Sequence, residues 1–489
     1  MATLPRTVPA HFVRATELHG EIPILIDRQG SVTLRELTAD AARLANALRA
    51  DGVKKGDLIG FYADNSRRWI LTDLAIMLAG GVSVPRGTDT PAEELAGIFR
   101  HAEVGLVFAH SGRHAKQLEA IRAEVPSMGE IISIDAKDAP GRTLDDLMAA
   151  GTDAPDFAAL AAECEPEDLA TIIYTSGTTG RPKGVMLSQG NLGHQTACCP
   201  AAFQIEPGQS FLSVLPPWHS FERTTEYIAL CSGAALVYTD RRRFKEDLAR
   251  YEPTFVPSVP RIWETVYDGV QKALEKGSGL KRSIFKSAYA IAGLRTRAWD
   301  RARGWHFRMH KPRALAAAAE PLVRGGALLV AALAWLPDRL GHKIVFSKMR
   351  KLVGSRLRGA ISGGGLMPAH IDRFFRTIEL PLLVGYGLTE TSPVVAIRRM
   401  TCNVLGTIGR AVDEVEVQVR HPETGAVLPA GETGVFFSRG PHIMQGYYKD
   451  EVLTRSVIDE DGWFDTGDLG LMTEYGDLCF RGRLKETIV

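Results

Sequence analysis

The stretch Tyr174-Thr-Ser-Gly-Thr-Thr-Gly-Arg-Pro-Lys-Gly184 decides the fold of this chain. It follows Asp168-Leu-Ala-Thr-Ile-Ile173, a mostly apolar and β-branched run that predicts a buried strand. The small residues after that run cannot continue a strand, so a loop must begin there. The glycines allow the backbone to approach a ligand closely, and the hydroxyls, the N–H groups and Lys183 favour anionic oxygens. The stretch therefore predicts a strand that ends in a phosphate-binding loop.

Two other interpretations of the loop are open. A Walker loop requires Gly-Lys-Ser/Thr at the start of a helix. Here Pro182 precedes Lys183 and Gly184 follows it, and a proline has no N–H to give a phosphate. The other alternative is a polar surface loop, which Gly/Ser/Thr runs commonly form. The preceding strand, Lys183 and the motifs downstream favour phosphate binding.

The bulk composition limits the class of protein. A chain of 489 residues is too long for one compact core, so at least two packed units are expected. With 58 basic and 57 acidic residues, no overall attraction to nucleic acid is indicated. The six cysteines show no Cys-x-x-Cys spacing, and the N-terminus lacks the apolar stretch of a secretory signal. We therefore predict a cytoplasmic protein with reduced thiols, and the sequence carries no indication of its oligomeric state.

The N-terminal part predicts an α/β fold. Between residues 31 and 110, apolar runs alternate with helical patterns, which favours a layered and largely parallel sheet. The predicted strands are 58–62, 82–84, 104–108 and 131–134, and the predicted helices are 34–50, 68–79 and 92–101. Residues 138–167, rich in Ala, Asp, Pro and Gly, are predicted to be a surface connection. From Asn403 onward, 414–420 alternates strictly and 434–439 returns after a turn, which predicts antiparallel strands.

Further motifs follow the loop in a fixed order. They are Pro216-Pro-Trp-His-Ser-Phe-Glu-Arg223, Ile361-Ser-Gly-Gly-Gly365, Gly385-Tyr-Gly-Leu-Thr-Glu-Thr391, Gly462-Trp-Phe-Asp-Thr-Gly-Asp468 and Arg481-Gly-Arg-Leu-Lys-Glu486. Together with the loop they resemble the adenylate-forming superfamily of acyl-CoA synthetases, luciferases and peptide-synthetase adenylation domains, over nearly the whole chain. The resemblance implies a layered α/β portion over residues 1–392, a small distorted β-barrel subdomain over 393–480, and a hinge over 481–489. It also implies a mobile C-terminal domain after the hinge, so we expect this chain to be a fragment with impaired turnover.

The same resemblance implies roles for individual residues. The nucleotide would be bound by Thr175, Ser176, Gly177, Thr178, Thr179, Gly180, Lys183, Gly363, Gly364, Gly365, Gly385, Tyr386, Gly387, Thr389, Asp468 and Arg483. Catalysis would involve Lys183, His219, Thr389 and Glu390, and Mg²⁺ would be held by Thr175 and Glu390. Tyr386 would stack on the purine, Asp468 and Arg483 would contact the ribose, and Lys485 would lie at the hinge pivot.

The implied reaction has two halves. A carboxylate attacks the α-phosphorus of ATP to give acyl-AMP and pyrophosphate, and coenzyme A then displaces AMP. The continuation Phe221-Glu-Arg223 is most similar to long-chain fatty acyl-CoA synthetases, which predicts a long-chain fatty acid as substrate. Two alternatives stay open: transfer of the acyl group to a carrier protein, and binding of ATP or acyl-adenylate without turnover.

One segment differs from the rest in charge. Residues 281–358, within a helical insertion at about 265–358, contain 18 Lys or Arg and three acids, a net charge of +15 in a chain whose total is +1. The uncharged run 325–337 has thirteen residues, fewer than the ~20 of a spanning helix, so we expect that it does not cross a bilayer. The basic residues are either an ordinary solvated face or a surface that rests on anionic lipid.

Overall fold

A computed structural model of the chain describes residues 5–151, 156–175 and 182–486. Within these ranges the strands are β1 Pro23–Asp27, β2 Gly30–Thr33, β3 Leu58–Tyr62, β4 Val82–Arg86, β5 Leu106–Ser111, β6 Ile131–Asp135, β7 Leu169–Thr175, β8 Lys183–Ser188, β9 Ser210–Ser213, β10 Ala235–Tyr238, β11 Phe255–Ser258, β12 Gly359–Ser362, β13 Leu382–Gly387, β14 Val394–Ile397, β15 Arg410–Ala411, β16 Glu416–Arg420, β17 Gly434–Arg439, β18 Gly446–Tyr447, β19 Phe464–Met472 and β20 Leu478–Arg483.

The α-helices cover the sheets and form a separate helical insertion. They are α1 Val8–His19, α2 Leu34–Ala50, α3 Arg67–Ala79, α4 Ala92–Ala102, α5 Gly112–Ile121, α6 Leu144–Ala150, α7 Phe157–Ala161, α8 Gln189–Cys198, α9 Pro200–Phe203, α10 Ser220–Cys231, α11 Phe244–Tyr251, α12 Pro260–Glu275, α13 Gly279–Arg303, α14 Ala314–Leu333, α15 Trp335–Gly341, α16 Ser347–Leu352, α17 Ala369–Thr377 and α18 Glu451–Val457. Short 3₁₀ turns lie at Arg122–Glu124, Thr389–Thr391 and Leu484–Glu486, and a π-helical turn at His342–Phe346.

The described strands form three sheets. One has seven strands in the order β18-β8-β7-β4-β3-β5-β6, with β7, β4, β3, β5 and β6 parallel. Another has nine strands in the order β15-β14-β13-β12-β11-β9-β10-β1-β2, parallel from β13 through β1. A four-stranded antiparallel sheet has the order β16-β17-β19-β20. The predicted α/β class with a small antiparallel unit is confirmed, and the division of the chain into domains stays a prediction.

Local sequence explains the first helices well. Thr33 caps the N-terminus of α2 with a capping box. Its hydroxyl accepts from the N–H of Glu36 at 3.2 Å, and the Glu36 carboxylate accepts from the N–H of Thr33 at 2.7 Å. α3 ends at Gly80, whose φ of 84° is the left-handed conformation that glycine adopts without strain. These helices fall at or within one residue of the predicted bounds because caps and apolar spacing act together.

The segment 138–167 was predicted to be only a surface connection, and this prediction is wrong. It contains α6 and α7, whose apolar residues Leu144, Leu147, Phe157 and Leu160 are buried. A Thr143 capping box starts α6, with the Asp146 carboxylate accepting from the N–H of Thr143 at 2.8 Å. The few apolar residues of this segment were outnumbered by Ala, Asp, Pro and Gly, so composition alone hid the helices.

A buried polar cluster joins the two large sheets. Arg223 of α10, which packs beside β9 and β10 of the nine-stranded sheet, has no exposed surface and pairs with the equally buried Asp73 of α3. Its guanidinium also donates to Thr171 of β7 at 2.7 Å and to Ser83 of β4 at 2.9 Å. Because Thr171 and Ser83 belong to the seven-stranded sheet, this one side chain links both sheets at β7, the strand that precedes the predicted phosphate loop.

The helical insertion departs from the sequence prediction in one respect. Helix α14 runs over 20 residues, because the alanines from Ala314 onward precede Glu320 and extend the apolar run beyond the predicted 325–337. Among the described residues it is the one helix whose length and composition would suffice to cross a membrane. The argument that the apolar stretch is too short is therefore wrong.

Removal of Arg223 tests the link between the sheets. Arg223→Met leaves the Asp73 carboxylate buried without its partner, so the free energy of unfolding should fall by about 3–5 kcal/mol in chemical denaturation. Arg35→Met is a matched control, because the Arg35–Glu21 pair at 2.7 Å is largely exposed and should change stability by less than about 1 kcal/mol. Adding Asp73→Asn to Arg223→Met should recover part of the loss. Equal effects of Arg223→Met and Arg35→Met would contradict the proposed link.

The buried imidazole of His442 predicts acid sensitivity. Burial, and then the nearby His194, lowers the pKa of His442 from 6.5 to about 3. The unfolded chain takes up this proton near pH 6.5 and the folded chain does not, so stability is complete above that pH and falls as the pH drops towards 3. Between pH 6.5 and about pH 5 the loss should be about 2 kcal/mol. His442→Gln should flatten this part of the pH dependence, whereas an unchanged slope would exclude His442 as its source.

Candidate active site between the two large sheets

One large groove lies where strands of both large sheets end. It has a volume of about 2030 Å³ and, within the described residues, contains Arg86 at the end of β4, Thr175 at the end of β7, Gly363 just after β12 and Gly387 at the end of β13. Ligands in open α/β sheets bind at the carboxyl ends of strands. The topology therefore brings residues that are far apart in the sequence to one ligand-sized space.

The two residues that flank the predicted phosphate loop lie in this groove. Thr175 and Lys183 are directly opposite each other where β7 and β8 pair as antiparallel strands. The Lys183 ammonium is 5.2 Å from the centre of the Tyr447 ring, on β18, which pairs with β8. The predicted residues Ser176, Gly177, Thr178, Thr179 and Gly180 lie outside the described residues.

The predicted acid of the metal site lies in the same groove. Glu390 is in the 3₁₀ turn Thr389–Thr391, and its carboxylate accepts a hydrogen bond from the Tyr447 hydroxyl at 2.9 Å. Burial, and then the Glu390 carboxylate, raises the pKa of Tyr447, so the phenol keeps its proton and donates. Tyr447 thus contacts Glu390 with its hydroxyl and faces Lys183 with its ring.

Asp468 is joined to the groove through Tyr386. The Tyr386 hydroxyl donates to Asp468 at 2.8 Å, and Arg483 Nε is 3.5 Å from the other oxygen of that carboxylate. Tyr386 and Arg483 line the groove, whereas Asp468 is 3% exposed and lies immediately behind them. Asp468 and Arg483 are opposite each other in the β19–β20 pair, so the small sheet supplies this side of the site.

Glycines shape the turns that present these side chains. A Cβ at Gly387 would lie 1.6 Å from the carbonyl oxygen of Pro393, so glycine is required immediately after Tyr386. Gly363 and Gly364 line the groove, as do Gly385 and Thr389. The third glycine of the first turn, Gly365, lies against Pro260 instead, with 3.5 Å from a built Cβ to the ring.

The predicted histidine lies at the start of α10. His219 is the residue before that helix, and its ring centre is 4.0 Å from that of Trp218. Burial, and then the positive charge of Arg86, lowers the pKa of His219. The imidazole is therefore neutral at pH 7, and it can contact an anion by hydrogen bonding but adds no charge.

Sequence reasoning missed Arg86 and Tyr447. Arg86 is half-buried in the groove, donates to the carbonyl oxygen of Tyr174 at 3.1 Å, and has its guanidinium 5.7 Å from the Trp218 ring centre. A basic residue two positions beyond the predicted strand 82–84 was a usable signal, because the neighbouring strand β7 precedes the predicted phosphate loop. Tyr447 gave no such signal, since its role depends on the pairing of β18 with β8.

Polar and apolar side chains both line the groove, and we call these two sets of residues its polar end and its apolar channel. The polar end contains the residues described above together with the exposed Lys485. The apolar part is lined by side chains from α9, α10, β12 and β14 and their flanks, namely Cys199, Phe203, Phe221, Ile228, Ile361, Val394 and Ile397. A ligand with an anionic head and an apolar tail matches this division.

The oxygen donors of the polar end suit a hard cation. Thr175 offers a hydroxyl and Glu390 a carboxylate, both in the one groove beside Lys183. Mg²⁺ prefers such oxygens, and it commonly takes one or two protein ligands together with phosphate oxygens and water. The residues present therefore fit a magnesium ion bound with a nucleotide.

Comparison with known proteins identifies the family of the chain. The family model described as AMP-binding enzyme matches residues 12–448. The probable acyl-activating enzyme 16 of the Arabidopsis thaliana chloroplast is 35% identical, over 99% of this chain and 71% of that protein. The chloroplastic long-chain-fatty-acid–[acyl-carrier-protein] ligase AEE15 of the same plant is 34% identical, over 99% and 71%. The long-chain-fatty-acid–CoA ligase FadD15 of Mycobacterium tuberculosis is 33% identical, over 94% and 70%.

Solved structures share the fold. A long-chain-fatty-acid–CoA ligase, FadD1 of Archaeoglobus fulgidus, gives a TM-score of 0.73 at 20% identity, over 98% of this chain and 85% of that one. The N-terminal domain of FACL13 from Mycobacterium tuberculosis gives 0.71 at 19% identity, over 98% and 100%. The matched family model covers most of the chain, and the relatives match over more than two thirds of their own lengths. This chain belongs to the AMP-binding enzyme family.

Proposed function

We propose that the chain activates a long-chain fatty acid with ATP, giving acyl-AMP and pyrophosphate, and then transfers the acyl group to coenzyme A. The observation that carries the proposal is that polar and apolar side chains line one and the same groove. The polar end contains Lys183, Tyr386 and Glu390, and the apolar channel includes Phe221 and Ile228 of α10 and Ile361 of β12 in the nine-stranded sheet. The groove can therefore bind the adenylate head and the alkyl tail of one activated fatty acid at the same time.

The first half-reaction needs no strong base. A fatty acid carboxylate is ionised at neutral pH and can attack the α-phosphorus directly, with pyrophosphate leaving. The obstacle is repulsion between this carboxylate and the triphosphate. Lys183 and Arg86, both in the groove, would offset that repulsion in a partly desolvated space. Mg²⁺ held by Thr175 and Glu390 would supply further positive charge beside the phosphate oxygens.

The far side of the polar end is suited to the nucleoside. The Tyr386 ring is available for stacking on the purine. A carboxylate such as that of Asp468 can accept from two adjacent ribose hydroxyls, and Arg483 lies beside it. Gly363 and Gly364 leave room for a planar base against the backbone.

His219 would position the incoming carboxylate, because it is neutral and lies next to Trp218. We retain Thr389 as a phosphate contact and Lys485 as a hinge residue.

The acceptor has two candidates. Coenzyme A is the first, and an acyl-carrier protein is the second, because the relative AEE15 is named for a carrier protein and the FadD15 relatives for coenzyme A, at nearly equal identity. Incubation with palmitate and ATP, followed by either coenzyme A or a phosphopantetheinylated carrier protein, separates the two through the thioester formed. Fatty-acid-dependent exchange of pyrophosphate into ATP tests the first half-reaction alone, and its absence with every chain length would favour binding without turnover.

Removing the two groove acids should damage nucleotide use. Glu390→Gln should lower kcat/KM for ATP by about a hundredfold, because the carboxylate that would hold Mg²⁺ beside the phosphates is lost. Asp468→Asn should raise KM for ATP by about tenfold, because the ribose loses a charged acceptor. Pyrophosphate exchange measures both effects, with equilibrium binding of palmitate measured in parallel.

Asp465→Asn is the matched control, because Asp465 is on the same strand as Asp468 and its carboxylate accepts from the nearby N–H of Gly467 at 2.8 Å. This variant should keep pyrophosphate exchange and palmitate binding within about twofold of the wild type, because substitutions away from a binding site usually have small effects. If Glu390→Gln and Asp468→Asn lost palmitate binding as fully as ATP use, damage to the fold would explain them and the assigned roles would fail.

The apolar channel predicts a change in chain-length preference. Ile228, which is 3% exposed and lines the channel, can be enlarged to Phe. We expect kcat/KM for palmitate to fall at least about tenfold relative to octanoate, because the larger ring fills space that the longer tail requires. Ile228→Val, which removes volume, should leave the ratio nearly unchanged. A ratio that does not move in Ile228→Phe, with unchanged octanoate activity, would place the acyl chain elsewhere.

A further inference from the structure

The most unusual surface of the molecule lies outside the groove, on the helical insertion. In the described part of the chain 21 large apolar side chains are exposed, and 16 of them lie between Leu280 and Ile344. Isolated exposed leucines are ordinary, but a concentration of this kind marks an interaction surface. Helix α14 contributes most strongly, since Ala331 is its one buried residue among those described.

Six of these side chains form a straight line, which we call the leucine stripe: Leu315, Leu322, Leu329, Leu333, Leu336 and Leu340. At 3.6 residues per turn they fall within about 60° of one another around the helix, over a length of about 40 Å. α15 begins one residue after Ala334, which keeps helical backbone angles, so the line continues from α14 into α15. Their exposed fractions range from 53% at Leu340 to 89% at Leu315.

The opposite side of the insertion is fixed to the rest of the protein. Arg295 of α13 binds Asp338 of α15 at 3.0 Å and Glu379, just beyond α17, at 2.9 Å. Arg376 of α17 pairs with Asp300 of α13, which is 7% exposed. These buried contacts determine which side of α14 and α15 is turned outwards, so the leucine stripe is a consequence of the packing.

The charges around the leucine stripe identify its partner. The three acids of residues 281–358 are all engaged in ion pairs with arginines: Asp300 with Arg376, Glu320 with Arg324, and Asp338 with Arg295. Exposed basic side chains remain, namely Lys281, Arg282, Lys286, Arg297, Lys311, Arg313 and Lys343. A two-fold contact between copies of this surface would bring one net charge of +15 against another. An apolar helix face with basic neighbours instead matches the interface of an anionic membrane.

We propose that the leucine stripe lies in the plane of an anionic lipid leaflet, with its leucines among the acyl chains and the basic residues at the phosphates. Helix α14 does not span the bilayer, because Glu320 and Arg324 lie within it and form an ion pair at 3.0 Å. It also packs along α13, and both of its ends return to the folded body. The attachment is therefore peripheral, and it is independent of the proposed function.

Vesicle flotation tests this proposal on the full chain. The protein should float with phosphatidylcholine vesicles that contain phosphatidylglycerol. The bound fraction should be lower when salt is added, and lower on vesicles made of phosphatidylcholine alone. Leu322→Glu with Leu329→Glu should lower the partition coefficient by at least about tenfold. Lys281→Gln with Lys286→Gln should lower it by about tenfold, and only on the anionic vesicles. Alkaline carbonate should release the bound protein.

The matched control replaces exposed apolar residues elsewhere. Leu18 is 64% and Val427 is 60% exposed, so Leu18→Glu with Val427→Glu makes an equal change in charge and should leave flotation unchanged. Unchanged melting temperatures show that each variant is folded. The proposal is overturned if the wild type does not float, if both double glutamate variants float like the wild type, or if carbonate fails to release the protein. It is equally overturned if light scattering shows a dimer that only the leucine-stripe variant dissociates, since a second copy would then cover this surface.

Discussion

The ion pair between Arg223 and Asp73 is the contact on which the arrangement of the two large sheets depends. Both side chains have no exposed surface, and burying two charges costs free energy that only close pairing and further hydrogen bonds can offset. Arg223 meets that condition through Thr171, Ser83 and Tyr227, whose hydroxyl accepts from it at 2.7 Å.

The position of this pair connects the fold to the groove. Thr171 is on β7, four residues before Thr175, and Arg223 is four residues after His219. The same contact thus fixes the strand that precedes the predicted phosphate loop and the helix that starts directly after His219. The Arg223 guanidinium is 5.4 Å from the Trp69 ring centre, and Trp69 stacks on Phe61 of β3 with ring centres 4.8 Å apart. Packing of Arg223 against the apolar core therefore helps to hold Thr175 and His219 in place at the border of the groove.

Much of this architecture could be predicted from the sequence, for identifiable reasons. Thr33 and Gly80 gave clear helix boundaries, and the strict alternation of 414–420, followed by a turn and the return of 434–439, predicted the antiparallel pair of β16 and β17. Residues that contact each other across the fold could not be predicted in this way. Tyr447 reaches Glu390 only because β18 pairs with β8, and Arg86 reaches the groove only because β4 lies beside β7. Helix α14 was underestimated because its charges, Glu320 and Arg324, interrupt the apolar run but neutralise each other in the folded chain.

The central claim is that one nucleotide contacts both large sheets and the small sheet at once. A crystal structure of this chain with ATP or a non-hydrolysable acyl-adenylate tests it most directly. We expect the phosphates beside Lys183, the base against Tyr386 and the ribose within hydrogen-bonding distance of Asp468. A nucleotide bound on one sheet alone, or away from Lys183, would contradict the account.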